Sequence, residues 1–176
     1  MTEMERQTAG RIAAFLDAHH VMSLATSGRK GSHAANVFYV RDGAALLWVS
    51  DPESRHSLDI ENNPSVAATV APDYSDIAEI QGVQISGHAR LIRSASGRDA
   101  AQSLLERRYP AMRHLAPDAT FRQACARMQF YRLEPANMVL IDNTRGFAHK
   151  DTLNLEPFSA DSLRDLFNSA KVRRAS

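Results

Sequence analysis

The stretch Ile80–Arg93, IQGVQISGHARLIR, constrains the fold more than any other part of this chain. From Val83 onward, Val83, Ile85, Gly87, Ala89 and Leu91 fall on one side of an extended backbone, and Gln84, Ser86, His88 and Arg90 on the other. Such two-residue alternation belongs to a strand with one buried face and one wet face. Gly82 and Gly87 lie inside it. Glycine in a strand costs entropy and packing, so each marks a bend or the close approach of another backbone or a ligand. The expectation is a long strand in a curved sheet with something lying near it.

The rest of the chain supplies partners for that strand. Thr2–His19 reads as an amphipathic helix, with Thr2 as its cap, Glu3 and Glu5 in the first turn and an apolar stripe of Ile12, Phe15 and Leu16. Strands are predicted at Val21–Thr26 and Ala34–Arg41 on either side of the turn SGRKGS. The unbroken apolar run in Ala44–Ser50 implies a strand covered on both faces, with Trp48 in the core. Asp51 and Pro52 read as a helix cap and first helical residue, and Pro64 as the stop, before a strand at Val66–Val70. Helices are predicted at Ser96–Arg108 and Asp118–Arg127, strands at Gln129–Leu133 and Met138–Asp142 with Pro135 interrupting them, and a last amphipathic segment at Ser159–Phe167. Strand and helix do not alternate regularly, which argues against a doubly wound parallel sheet. The pattern predicts a mainly β, α+β domain: an antiparallel barrel of six to seven strands with flanking helices. One domain is expected for 176 residues, with a helix over 1–19, the barrel and its inserted helices over 20–150, and a helical tail over 151–176.

Composition narrows the partners. A formal net charge of +1 gives no field that would direct the chain to nucleic acid or a membrane surface, and the basic run Lys171–Arg174 reads as a solvated end. Cys125 stands alone beside Ala124, Ala126 and Met128, as a buried small hydrophobe in a reducing compartment would. Glu3, Glu5 and Arg6 precede any apolar run, unlike a secretory leader, and no apolar segment reaches membrane-spanning length, so a cytoplasmic location is expected. The seven histidines show no ligand spacing beyond the adjacent His19 and His20, so no metal site is expected, and His88 reads as a surface or interface residue. No catalytic constellation can be argued from spacing, since such groups meet only in space, and catalytic residues stay unknown.

One segment does suggest a ligand. Ser54-Arg55-His56 opens the short predicted helix, where free backbone N–H groups, a hydroxyl and a guanidinium would together suit a phosphate. The competing reading is a capped surface helix with an exposed arginine, and Asp51 and Glu53 nearby would oppose an anion.

Three segments in order, LATSGRKGSHAANVFYV, LWVSDPESRHSLDIENNPSVAATV and IQGVQISGHARLI, resemble the flavin-binding split-barrel superfamily typified by pyridoxamine 5′-phosphate oxidase. The likeness spans roughly Val21 to Lys150 and is nearest to small uncharacterised bacterial members with a DNTxGFG-type C-terminal loop, here Asp142–Ala148. The resemblance implies that Ser54, Arg55 and His56 form the phosphate clamp of FMN, with histidine where the family has lysine. It also implies that the strand carrying Asn36, Val37 and Phe38 lies along the isoalloxazine edge, and that Gln84 presents a polar group to it. Asn143 and Phe147 would arrive from the terminal loop of a partner subunit, because the family builds its flavin sites at a homodimer interface. Two departures separate this chain from vitamin B6 oxidation. The family's C-terminal Arg-x-His pair has no match, Arg145 and His149 being four apart, and the long strand starts Gln81-Gly82 instead of Arg-Gln.

An FMN-dependent oxidoreductase, working as a homodimer with a small electron donor such as NADH or NADPH, follows from that resemblance. A flavin performs the hydride step itself, so the protein needs no acid–base constellation of its own. The alternatives are a split barrel that holds haem or flavin without turnover, with His149 as the candidate axial ligand, and a deazaflavin in place of FMN.

Overall fold

The computed structural model describes residues 2–114, 123 and 126–172, and its centre is one antiparallel sheet of eight strands. In chain order the elements are α1 (Glu3–Ala18), β1 (Val21–Gly28), β2 (Gly31–Phe38), β3 (Val40–Asp42), β4 (Ala45–Ser50), α2 (Arg55–Asn62), β5 (Ser65–Val70), β6 (Gln81–Leu91), α3 (Ala95–Arg108), β7 (Gln129–Asp142), β8 (Lys150–Asn154) and α4 (Ala160–Val172). The strands lie in the order β2-β1-β5-β6-β7-β4-β3, and β8 pairs with β7. The sheet curls into a split barrel with helices around it, the class its sequence predicts, with one strand more than expected.

The pivotal strand behaves as its alternation requires. Along β6, Val83, Ile85, Gly87 and Ala89 are buried and Gln84, Ser86, His88 and Arg90 exposed. A side chain at Gly87 would place its Cβ 2.2 Å from the Glu134 carbonyl oxygen and 2.8 Å from the Pro135 Cα, so only glycine lets the two backbones approach. At this point the β6–β7 register shifts.

Pro135 does not end a strand, contrary to expectation: β7 runs unbroken through it for 14 residues. One edge of β7 follows β6 throughout, while the other pairs with β4 over Gln129–Leu133 and then with β8 over Asn137–Ile141. Proline lacks an N–H, and it sits where one edge partner has ended and the next has not begun, so no ladder bond is lost. The expected helical tail likewise starts with a strand, β8, before α4. The predicted helix at Asp118–Arg127, and Cys125 with it, lie largely outside the described residues.

Two apolar clusters hold the layers together. The larger fills the concave side with Ile12, Leu16, Met22, Leu24, Leu46, Trp48, Leu133 and Phe167, and Trp48 stacks on Tyr131 at 5.5 Å between ring centroids. The smaller joins Leu47 and Val40 to Ile92, Ala101 and Leu105. β4 therefore feeds both clusters, Leu46 and Trp48 one way and Leu47 the other, which explains its unbroken apolar run. α1 is fixed by the expected Thr2 cap in a full capping box, in which the Glu5 N–H donates to Thr2 Oγ1 at 3.2 Å and the Thr2 N–H to Glu5 Oε2 at 2.6 Å. The buried Arg41 guanidinium ties the helices to β3, donating to both Asp17 carboxylate oxygens at 3.0 and 2.7 Å and to the Gly43 and Phe167 carbonyls at 2.7 and 3.3 Å.

Candidate functional site

The start of α2 is built from β4, a tight turn and the β1–β2 hairpin. Asp51 does not cap the helix. Its carboxylate accepts from the Glu53 N–H at 2.8 Å and its carbonyl from the Ser54 N–H at 3.1 Å, which closes a turn first and leaves Ser54 as the N-cap. Ser54 Oγ donates to Ser57 Oγ at 2.8 Å and accepts from the Ser57 N–H at 3.4 Å. His56 Nε2 lies 2.6 Å from Ser50 Oγ and 3.1 Å from Ser54 Oγ. Burial, reinforced by the nearby His33 and opposed by Asp59, lowers the pKa of His56. The imidazole is thus neutral near pH 7 and orders two hydroxyls instead of supplying charge.

Arg55 carries the positive charge. Its side chain is 33% exposed, its Nη2 donates to the Gly31 carbonyl at 3.0 Å, and its Nε lies 3.4 Å from Asp59 Oδ2. Nη1 has no partner among the described residues. A guanidinium with a free edge beside a hydroxyl cap is a donor set suited to a phosphate oxygen.

The remaining expected contacts lie elsewhere. Asn36 and Gln84 share one row across the convex face of the sheet, in which Asn36 faces Ser23, Ser23 faces Thr69, and Thr69 faces Gln84. Three strand spacings separate them, about 14 Å. The next row reads Ala34, Ala25, Ala67 and Ser86. All eight side chains are exposed, and none is charged. Ser23 Oγ donates to Asn36 Oδ1 at 2.7 Å. Val37 points the other way, into the large cluster, while Phe38 is 63% exposed with its edge against Tyr109.

The Asp142–Ala148 loop is tied down by its own polar groups. Asp142 accepts from Thr144 Oγ1 at 2.6 Å, Gln81 Nε2 at 2.9 Å and Arg11 Nη2 at 2.8 Å. Asn143 Nδ2 donates to the Ile77 carbonyl at 2.7 Å, and its Oδ1 accepts from the Ala148 N–H at 3.0 Å. Asp151 gathers Arg11 at 2.5 Å, Arg145 at 2.8 Å and His149 Nε2 at 3.3 Å. Phe147 is left 84% exposed.

The nine expected residues therefore fall into four places: the α2 start, the convex sheet face with its rim, the large cluster that takes Val37, and the terminal loop. Surface cavities of about 390, 720 and 320 Å³ occur elsewhere on the subunit, and none of the nine lines any of them. Sequence reasoning missed Ser50, Ser57, Thr26 and Asp59 around Arg55. Asp59 alone had a signal, lying four residues after Arg55 and so on the same helix face. Among the described residues no helix is long and apolar enough to cross a membrane, and no three metal-binding side chains converge.

Comparison with known proteins places the fold. A UPF0306 protein of Photorhabdus laumondii is 29% identical over 139 residues, which cover 77% of this chain and 88% of that one. General Stress Protein 26 of Bacillus anthracis has the same fold with a TM-score of 0.60 at 16% identity, over 85% of this chain and 99% of that one. A haem-binding protein of Mycobacterium smegmatis gives a TM-score of 0.66 at 16% identity, over 96% of this chain and 62% of that one. The sequence pattern of the family described as pyridoxamine 5′-phosphate oxidase matches residues 9–133. With most of its length inside that match and a curled antiparallel sheet to go with it, the chain belongs to the pyridoxamine 5′-phosphate oxidase family.

Proposed function

We propose that this chain binds flavin mononucleotide in a crevice completed by a second copy of itself and acts as an FMN-dependent oxidoreductase. The observation that carries the proposal is the convex face: two adjacent rows of alanine, serine, threonine, asparagine and glutamine, exposed, uncharged and uncovered by any described helix. In its lack of charge the patch matches the core of an interface. Small side chains allow close approach, and the amides supply donors and acceptors for a polar ring edge.

One subunit offers a phosphate clamp at α2 and, on the other face of the sheet, a row bounded by amides, which a second copy would bring together around the group. Ser54 and the free edge of Arg55 would hold the phosphate, with His56 fixing the hydroxyls. Asn36 and Gln84 would meet the polar rim of the ring, as would the backbone of Val37 and Phe38. When bound, the flavin supplies a two-electron acceptor, and a small donor such as NADH or NADPH supplies the hydride. Asn143 serves this arrangement by bracing the loop, which leaves Phe147 free to reach a second copy. The haem reading is the weaker one, because His149 Nε2 is shielded from solvent and faces the Asp151 carboxylate, so ligating iron through Nε2 would require that contact to break.

The test is an absorption spectrum of the purified protein, its sedimentation behaviour, and an FMN titration of wild type and Arg55→Ala. The expected result is a flavin spectrum, a dimer, and at least a tenfold loss of FMN affinity in the variant, the scale of one charge-assisted phosphate contact. A Soret band, a monomer at micromolar concentration, or an unchanged titration would each count against the proposal. The mass of the extracted cofactor separates FMN from a deazaflavin.

A further inference from the structure

The buried acid beneath the clamp has no place in the scheme so far. Asp59 is buried on the second turn of α2, and its Oδ2 accepts from Thr26 Oγ1 at 3.0 Å and faces Arg55 Nε at 3.4 Å. Its other oxygen rests against Gly28, where an added Cβ would fall 1.9 Å from Oδ1 and 2.7 Å from Cγ. Two contacts that do not involve Arg55, the Thr26 hydroxyl and the bare Gly28 backbone, thus set the carboxylate in place. The long Nε contact is no tight bidentate bridge that an incoming anion must break.

We infer that Asp59 is a positioning residue for Arg55: held by Thr26 and by the missing side chain of Gly28, it orients the guanidinium so that its free Nη1 edge is offered to a phosphate. Together with the Gly31 carbonyl it fixes two of the three guanidinium nitrogens. An arginine held in this way loses little rotamer freedom on binding, and preorganisation of that kind appears as affinity. The inference rests on the proposal that Arg55 meets the cofactor's phosphate.

The experiment titrates FMN, and riboflavin as the analogue without phosphate, against folded wild type, Asp59→Asn, Asp59→Ala, Gly28→Ala and the double variant Gly28→Ala/Asp59→Ala. Asp59→Ala is expected to weaken FMN binding about fivefold with riboflavin binding unchanged. Asp59→Asn should restore it, since the amide oxygen can accept from both Thr26 and Arg55. Gly28→Ala should mimic Asp59→Ala, and combining the two should cost nothing more, because the clashing group is gone. If Gly28→Ala fails to fold, the two Asp59 variants decide alone. Tighter FMN binding in both Asp59 variants would make the carboxylate a competitor of the phosphate and overturn the inference, as would equal losses for FMN and riboflavin. Loss of affinity in Arg55→Ala but not in Asp59→Ala overturns the positioning role alone; no loss in either removes the phosphate site as well.

Discussion

The start of α2 and the Asp142–Ala148 loop are both dense in polar side chains, yet they use them in opposite ways. In the loop, Asp142, Asn143, Thr144 and Arg145 are bonded to Arg11, Gln81, Asp151, backbone groups and one another, and the product is a rigid turn that exposes Phe147. At α2, the hydroxyls of Ser50 and Ser54 and the neutral His56 form a closed group, but Arg55 keeps one edge of its guanidinium free. Polar density alone is not a sign of a binding site. What distinguishes the two regions is the side chain at the centre of each: the Asp142 carboxylate is spent on three donors of its own subunit, whereas Arg55 keeps one guanidinium nitrogen unused.

Removing Asp142 should give the largest effect. Asp142→Ala leaves Arg11, Gln81 and Thr144 without their shared acceptor and is expected to cost about 3 kcal/mol of unfolding free energy in urea titrations. Arg55→Ala, which removes one bond to the Gly31 carbonyl and one long contact to Asp59, should cost less, about 1 kcal/mol. Similar losses from the two would erase the distinction between a loop that is structure and a helix start that is site.

The pH axis should separate the same regions by a smaller amount. Burial alone would raise the Asp142 carboxyl, but the bonds from Thr144 and Gln81 and the Arg11 charge outweigh it and hold it below the usual range. Asp151 is held low in the same way, burial being outweighed by Arg11 and Arg145. A depressed acid stabilises the fold above its unfolded pKa, so the loop's contribution is present above about pH 4 and is lost as the pH falls through the folded value. His56 is a base lowered by burial, so its neutral form favours the fold. That contribution is complete above about pH 6.5 and declines as the pH drops below it. Urea midpoints between pH 8 and pH 5 should fall for wild type and stay flatter for His56→Gln. A flat wild-type profile over that range would show that His56 is not held neutral.

Phe147→Ala should give the smallest change in stability, less than about 0.5 kcal/mol, since the ring is 84% exposed. Its effect is expected in the association of two copies, read by sedimentation at several concentrations. A loss of stability with no change in association would place Phe147 in the subunit's own packing and not at an interface.

Much of the architecture was written in local periodicities. The β6 alternation, the Thr2 cap and the two-sided burial of β4 each follow from neighbouring residues and survive in the folded chain. The errors arose where a competing turn or a distant strand decided the outcome. Asp51 looked like a cap, but the turn it closes moves the helix start to Ser54. β8 has one buried leucine, Leu153, and is a strand because the far half of β7 offers an open edge. Of the candidate site, the sequence marked Ser54 and Arg55 but not Thr26, Gly28 or Asp59, whose meeting depends on how α2 packs across the β1–β2 hairpin.

By itself, then, the order of residues determined which stretches extend or coil and which face of each turns inward, because those properties repeat at intervals of two to four residues; the family was carried by the match over residues 9–133. Only the packed structure decided that Pro135 sits at a change of strand partner, that burial lowers the pKa of His56, and that the Asp142 carboxylate is saturated while Arg55 keeps a free edge. Hydrogen-bond saturation and desolvation depend on groups brought together from distant positions, and no local pattern in a sequence records them.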